Sequence, residues 1–372
     1  MKGYYLFFGS NSQGVYKKIK MQIDELSKFA LIELINVCTV KRTSIQKAIA
    51  RLPWMPIGYD YDKAYASLDK PDFLYIRRTV VDNAAITFLK KVKNEFPNCK
   101  IIVEIFTYPY DVDDFFKCDI KYTVQHFPFY LKDRVYRKKL VDYVDRFVTY
   151  SMDDEIFGVR TIRTTNGIDV RNIKKINMNL ADDSINLISV ARMQIHHGYE
   201  RLIIGLHEYY SNGGTRNVVY HVVGDGPEEV TYKALVKKYK LSKHVIFYGR
   251  QFGEDLDNIY DKSSMAVSSL GLYKYKINVI STLKSCEYMA KGLPVVQGCT
   301  MSTIDGVAPR YVCEFENSSV PIDVNKIIKF YDDIYTNSSP DDIANSVRKY
   351  AIDHMNMEYV MRPIIDFILG ER

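Results

Sequence analysis

Residues 281–296 read STLKSCEYMAKGLPVV, and this stretch decides how the rest of the chain is interpreted. The hydroxyl side chain of Thr282 can cap the N-terminus of a helix that runs up to the glycine. Gly292 can adopt the left-handed conformation that ends a helix, and Pro294 prevents its continuation. The apolar pair at 295–296 then begins a buried strand. The stretch therefore predicts a helix followed by a strand, as in α/β proteins.

The start of this helix is suited to a phosphate group. Its first backbone N–H groups have no partner within the helix, and they lie at the positive end of the helix dipole. Lys284 adds a full positive charge in the first turn. Glu287 lies one turn further on, where a carboxylate can meet the ribose hydroxyl of a nucleotide whose diphosphate occupies the helix start. For this stretch alone, an ordinary α/β helix with a solvated lysine and glutamate is the alternative.

Four segments together resemble the retaining glycosyltransferases of the GT-B fold, in the family 4-like class called group 1. The first is the helix above, in which Leu283-Lys284 precede Glu287-Tyr288-Met289-Ala290, a glycine and Pro-Val-Val. The other three occur in the family's order along the chain: Asn166-Gly167-Ile168-Asp169, Ser189-Val190-Ala191-Arg192 with His197-Gly198, and Val222-Val223-Gly224-Asp225-Gly226-Pro227. The combination is specific for the family but not for a substrate.

The resemblance implies an α/β protein of the GT-B fold, with two Rossmann-like domains facing a cleft and a C-terminal helix that crosses back to the first domain. The alternation of predicted strands and helices agrees with parallel sheets. We expect a Rossmann-like acceptor domain over residues 1–168 and a nucleotide-sugar donor domain over 185–350. We expect the returning helix over 351–372, and the polar segment 170–184 as the interdomain linker.

The resemblance also implies roles for individual residues. Glu287 would bind the ribose of the donor, while Arg192 and Lys284 would stabilise the diphosphate leaving group; these three are the expected catalytic residues. His197 occupies the position of a phosphate-binding lysine in relatives, and it either faces the phosphates or is a neutral histidine bonded within its loop. The expected donor-binding residues are Gly14, Arg192, His197, Gly224, Arg250, Leu283, Lys284 and Glu287.

Several features of the N-terminal half leave alternatives open. The glycine loop that ends at Gly14 approaches the donor phosphates or the acceptor in the family, or it is a simple tight turn. Many relatives have a histidine after the strand that ends near residue 105; here Tyr108 and Asp111 are the polar groups available. Residues 41–70 are predicted to be irregular, in a region where such enzymes often bind acceptors. Residues 131–145 are predicted to form a basic amphipathic helix.

The implied reaction transfers a sugar, with retention, from a nucleotide-diphosphate sugar to a hydroxyl of a carbohydrate or lipid-linked glycan, in surface polysaccharide or glycoconjugate synthesis. A UDP-sugar is the favoured donor, and the resemblance implies no cofactor or metal ion, because the family needs no divalent ion for this step. Active relatives often carry a second glutamate eight residues before the ribose-binding one, where this chain has Val279. A non-catalytic GT-B partner subunit is therefore one alternative, and a GT-B sugar-nucleotide epimerase is another.

Composition limits the partners and the compartment. The 372 residues, 47% hydrophobic and 26% charged, are ordinary for a soluble two-domain protein. Six cysteines without a CxxC pair and no run of membrane-spanning length predict a cytoplasmic protein. The net charge of +6 includes basic clusters at 17–28, 90–93 and 132–139, which suit the anionic inner face of a membrane or are solvated helix faces. No nucleic-acid partner is expected, because no binding motif accompanies the charge.

Overall fold

The computed structural model describes residues 1–9, 13–116, 120–178, 184–307 and 309–370. The chain divides into two compact units, one formed by Met1–Thr165 with Val360–Arg372 and the other by Asn166–Tyr359. Each unit is an α/β unit built on a mainly parallel sheet, as the alternation of strands and helices predicts. In the part of the chain that the structure describes, no helix is long and apolar enough to cross a membrane.

The first unit is built on a seven-stranded sheet. Its strands are β1 (Lys2–Phe8), β2 (Leu31–Val37), β3 (Phe73–Arg77), β4 (Lys100–Ile105), β5 (Arg146–Thr149), β6 (Glu155–Ile156) and β7 (Val159–Arg163). Their order across the sheet is β2-β1-β3-β4-β5-β7-β6, and only the β6–β7 pair is antiparallel. The apolar runs that predicted β1, β3 and β4 are buried almost throughout, as expected for the central strands of a parallel sheet.

The helices of the first unit are α1 (Gln13–Leu26), α2 (Ser44–Ile49), α3 (Tyr61–Ala66), α4 (Asn83–Glu95), α5 (Asp111–Phe115) and α6 (Ile120–Tyr136). The helix predicted over residues 131–145 has other bounds, because its first part is the end of the longer helix α6 and it ends as a 3-10 turn at Asp142. Helix α6 contains Pro128, and a 3-10 turn over Arg137–Asp142 follows it. A proline normally marks a helix boundary in sequence. Here the aromatic residues that follow the proline, Phe129, Tyr130 and Tyr136, pack against the core, and the helix continues through Pro128.

A buried ionic cluster joins strand β4 of the first unit to helix α1 and strand β3. Glu104 of β4 is fully buried, and its carboxylate lies 3.3 Å from Lys18 Nζ and 3.4 Å from an Arg77 nitrogen. Gln22 and Tyr150 donate hydrogen bonds to the same carboxylate, at 3.1 and 2.9 Å. Burial raises the pKa of Glu104, but the two cations and these hydrogen bonds lower it to about 2. The charge of Lys18 is therefore used inside the unit.

The second unit is built on a six-stranded parallel sheet. Its strands are β8 (Ile185–Val190), β9 (Val218–Val223), β10 (Val245–Gly249), β11 (Met265–Val267), β12 (Val295–Gln297) and β13 (Val312–Glu314), in the order β10-β9-β8-β11-β12-β13. Its helices are α7 (Glu200–Ser211), α8 (Glu229–Lys238), α9 (Gly253–Asp261), α10 (Leu283–Lys291), α11 (Val324–Tyr335), α12 (Pro340–His354) and the start of α13 (Met357–Leu369). Because the strands are parallel, their carboxyl ends lie along one edge, where ligands of such sheets bind.

Two segments differ from the sequence expectations. Within the expected linker 170–184, the side chains of Val170 and Ile176 are buried in a core cluster of the second unit, so the described residues 170–178 pack on that unit. Within residues 351–372, where the returning helix was expected, α12 first ends, with its C-cap at Met355, and α13 begins at Met357. From Val360 onward α13 belongs to the first unit, where Lys100 Nζ donates to two of its last carbonyl oxygens at 2.7 and 2.9 Å.

Candidate functional site

Helix α10 begins and ends as its sequence predicts. The Thr282 hydroxyl accepts a hydrogen bond from Ser285 N at 3.1 Å, which caps the N-terminus. Gly292 ends the helix with φ +99°, and an added Cβ would lie 2.7 Å from Ala344 O. Strand β12 follows and is fully buried. The predicted helix and strand are confirmed.

A cluster of hydroxyl groups ties the start of α10 to the sheet. Ser268, which follows β11, lies 2.7 Å from the Ser285 hydroxyl and 3.1 Å from that of Thr282. Ser285 also donates to Gln297 Oε1 of β12 at 3.4 Å. The N-terminus of α10 is therefore held at the carboxyl ends of β11 and β12. Sequence reasoning missed this cluster, because single serines in separate segments give no pattern.

Tyr288 holds the next turn of α10 against the end of β8. Its phenol oxygen accepts from Val190 N at 2.9 Å and donates to Val190 O at 3.2 Å. Since Val190 is the last residue of β8, this tyrosine places the helix start beside the loop that carries Arg192 and His197. Sequence reasoning gave Tyr288 no role.

The loops that follow β8 and β9 are in backbone contact. Ala191 N donates to Val223 O at 3.0 Å, and Met193 N donates to Asp225 O at 2.6 Å. At Gly224, with φ +115°, an added Cβ would lie 2.0 Å from Ala191 O. The glycine that sequence reasoning expected at the donor site is thus required for the close approach of these two loops.

The loop after β8 also meets the loop after β11. Leu270 N donates to His197 O at 2.7 Å, and an added Cβ at Gly198 would lie 2.4 Å from Gly271 N. Gly198 has φ +60°, a conformation that favours glycine. The start of α10 and the loops after β8, β9 and β11 therefore form one continuous edge, and we call this edge the α10 site.

Lys284 is the most unusual side chain of the α10 site. Its ammonium nitrogen is buried and has no hydrogen-bond partner among the residues that the structure describes. It lies 5.9 Å from the ring centroid of Tyr199, whose buried hydroxyl likewise lacks a partner there. Burial lowers the pKa of Lys284 to about 7, although the charge of Glu287 opposes the shift. An unpartnered buried ammonium is costly unless an anion completes it.

His197 has the geometry of a neutral loop histidine. Its Nδ1 accepts a hydrogen bond from Gln194 N at 2.9 Å, and its ring stacks on Tyr199 at 5.4 Å between centroids. Burial, the charge of Lys284 and the neighbouring His196 lower the pKa of His197 far below its usual range. Of the two interpretations left open by the sequence, this geometry favours the loop histidine. Lys284 supplies the charge beside it.

The remaining expected donor residues lie at the same edge of the second unit, apart from Gly14. Arg192 and Glu287 are exposed, and Leu283 is the half-buried first residue of α10. Arg250, after β10, is exposed and donates through Nε to Asp225 Oδ2 at 2.7 Å. This ion pair links the loop after β10 to the turn after β9.

Gly14 belongs to the first unit, where it lies in the first turn of α1; residues 10–12 of its loop are outside the described residues. Of the polar groups after β4, Asp111 forms an ion pair with Arg137 at 2.5 Å. At the position of the family's second glutamate, Val279 is half-buried and pairs with Thr300 in an isolated bridge. Among the described residues, no group of three His, Cys, Asp or Glu side chains is arranged to hold a metal ion.

The chemistry of the α10 site is that of an anion-binding edge. A capped helix start presents backbone N–H groups, a buried ammonium lies in its first turn, and close glycine turns line the same edge. A carboxylate one turn along the helix can accept hydrogen bonds from the rest of a ligand. The edge therefore suits a phosphorylated ligand that also carries hydroxyl groups.

Residues 170–334, which include the whole α10 site, match the family model described as glycosyl transferases group 1. The match covers most of the second unit. The resemblance to group 1 glycosyltransferases that the sequence motifs indicated is thereby confirmed. No curated protein sequence matches the chain.

Solved structures show the same fold over the whole length. The chain is similar to Alr3699/HepE of Anabaena in complex with UDP, with 14% identity, a TM-score of 0.64 and 100% of both chains covered. It is also similar to the lipopolysaccharide outer core galactosyltransferase WaaB, at 12% identity, TM-score 0.62 and 100% of both chains. A sucrose-phosphate synthase of Thermosynechococcus elongatus gives 14% identity, TM-score 0.59 and 100% of both chains. The two α/β units thus have the GT-B fold, as predicted.

Proposed function

We propose that the protein is a retaining glycosyltransferase that moves a sugar from a UDP-sugar to a hydroxyl of a carbohydrate or lipid-linked glycan. The observation that carries the proposal is the buried, unpartnered ammonium of Lys284 at the capped start of α10. The group 1 family match covers this helix, and it supports a transferase that uses an activated sugar. Surface polysaccharide or glycoconjugate synthesis is the corresponding role.

The donor would bind with its diphosphate at the start of α10. In this arrangement the backbone N–H groups after Thr282 and the ammonium of Lys284 hold the phosphate oxygens, and Arg192 extends from the loop after β8. Glu287 accepts hydrogen bonds from the ribose hydroxyls. A uridine base is the favoured choice, because the similar Anabaena protein was crystallised with UDP.

The transfer step breaks the bond between the anomeric carbon and the diphosphate oxygen. The leaving diphosphate gains negative charge as this bond breaks, so Lys284, Arg192 and the helix start lower the barrier electrostatically. The acceptor hydroxyl attacks the same face of the sugar, and its proton passes to the leaving phosphate oxygen. The electron pair of the broken bond stays on the diphosphate, and no metal ion takes part.

The test is a screen of nucleotide sugars, with a mixture of glycan acceptors, for released nucleoside diphosphate. We expect release from at least one UDP-sugar, unchanged by EDTA and at least tenfold slower in Glu287→Ala. Loss of turnover with EDTA and its return with magnesium would contradict the metal-independent step.

Val279 in place of the family's second glutamate keeps a second function open, that of a non-catalytic partner subunit. The same screen separates it from the transferase. A partner subunit would bind a UDP-sugar without releasing UDP from any of them. An epimerase would instead convert the donor with no acceptor present.

A further inference from the structure

Residues 41–57 form a closed excursion from the sheet of the first unit. Its two ends are paired, because Val40 N donates to Gly58 O at 2.8 Å. The guanidinium of Arg42 closes the base by donating to two backbone carbonyl oxygens at the far end, at 3.0 and 2.8 Å. The 41–57 excursion is therefore a fixed feature of the unit, although the sequence predicted it only as irregular.

The outer part of the 41–57 excursion exposes large apolar side chains. Ile45 is 73% exposed and Trp54 66%, and Ile49 and Leu52 are each about 40% exposed. Helix α2, which forms the first part, has no buried residue. At the midpoint, Ala50 is buried and its carbonyl accepts from the buried Lys132 Nζ at 2.6 Å. The excursion is thus fixed from its inner side while its apolar side chains face outward.

The charged side chains of this surface are all basic. Lys41, Lys47 and Arg51 are exposed between the apolar residues, and no aspartate or glutamate occurs from residue 34 to residue 59. Two lysines of the basic clusters that the sequence suggested, Lys18 and Lys132, are used inside the unit. Exposed cations and exposed apolar side chains therefore occur together on the 41–57 excursion.

We propose that the 41–57 excursion docks the first unit on an anionic lipid surface. Its apolar side chains would enter the interfacial layer, where tryptophan is favoured, and its three cations would lie at the head groups. The three cations have no acidic residue beside them in this stretch, which complements an anionic head-group layer. The inference does not depend on the proposed transferase activity.

Trp54 is the only tryptophan of the chain, so the native protein carries its own probe. We expect its emission to shift to the blue when vesicles of phosphatidylcholine with phosphatidylglycerol are added, and to be quenched by nitroxide groups on the lipid chains. The shift should decrease as salt rises, because exposed charges are screened. An emission spectrum that vesicles leave unchanged would overturn the proposal. The same blue shift produced without lipid, by raising the protein concentration alone, would also overturn it.

Variants test the surface in co-sedimentation with the same vesicles. Lys47→Gln and Arg51→Gln should each lower the partition coefficient roughly fivefold, and Ile45→Ser should lower it by a similar factor. Matched controls lie in the second unit, where Val230 and Phe252 are 78% and 75% exposed and Lys237 is an exposed cation. Val230→Ser, Phe252→Ser and Lys237→Gln should leave partition unchanged. An equal loss in both sets would overturn the assignment to this excursion.

Discussion

Replacing Lys284 by methionine should stabilise the protein and weaken donor binding at the same time. Methionine has a similar length and needs no hydrogen bond, so it removes the buried ammonium without leaving a large cavity. Lowering the pKa of Lys284 from 10.5 to about 7 corresponds to a penalty of about 4 kcal/mol for the folded protein near pH 7. The substitution should raise the free energy of unfolding of the second unit by an amount of this order.

The sign of the pH dependence follows from the two pKa values. Between about pH 7 and 10.5 the unfolded chain binds more protons at residue 284 than the folded protein does, so wild-type stability rises with pH in this window. Lys284→Met lacks this dependence. The variant's free energy of unfolding should therefore exceed that of the wild type by about 4 kcal/mol near pH 7 but by only about 1 kcal/mol near pH 9.5, as measured by urea unfolding.

Donor binding should change in the opposite direction. A hydrogen bond to a charged group contributes about 1.5–3 kcal/mol, so calorimetry should find a UDP-sugar bound roughly tenfold to a hundredfold more weakly by Lys284→Met. Wild-type affinity should strengthen about tenfold from pH 8 to pH 6, as the protonated fraction of Lys284 rises, and the variant should not follow.

Lys291→Met is the matched control in the last turn of the same helix, where the lysine forms an ion pair with Asp257 at 3.4 Å. This control should not gain stability and should keep the wild-type affinity. A Lys284→Met protein that is less stable and binds the donor as before would refute the reasoning.

Three further predictions concern other parts of the molecule. Glu287→Ala should weaken donor affinity at least tenfold by calorimetry, and an unchanged affinity would make α10 purely structural. Gly224→Ala should lower donor affinity several-fold because its Cβ would meet Ala191 O, whereas Gly213→Ala, also at positive φ but with open space around it, should not. Glu104→Gln should lower the unfolding free energy by about 3 kcal/mol at pH 7; this loss should shrink as the pH falls from 4.5 through about 2, where wild-type Glu104 is protonated.

The local structure around α10 could be predicted because its signals are short-range. A threonine at the N-cap, a glycine at the left-handed end and a buried strand after the proline each act within one or two turns of their own position. The glycine in the turn after β9 could also be identified from the sequence. The close approach of two loops at Gly224 leaves no room for a side chain, so glycine is required there. The order of the four motifs along the chain then predicted the GT-B fold.

What the sequence could not give depends on contacts between distant segments. Nothing near Lys18 or Lys132 in sequence indicates that a buried glutamate or a backbone carbonyl binds their ammonium groups. The neutral form of His197 follows from one backbone N–H aimed at its ring, and the hydroxyl cluster at the helix start combines three separate segments. The start of α6 before Pro128 was also missed, because the helix continues through a proline whose following aromatic residues pack against the core.

The most direct test of the proposed activity is an NMR time course with a panel of UDP-α-sugars and a mixture of glycan acceptors. The proposal predicts that UDP appears together with a glycoside of α configuration, in the presence of EDTA, and that Glu287→Ala slows both signals equally. A glycoside is the informative product, because it does not mutarotate as a free sugar does. Formation of a β-glycoside, or binding of UDP-sugars with no release of UDP from any of them, would contradict it.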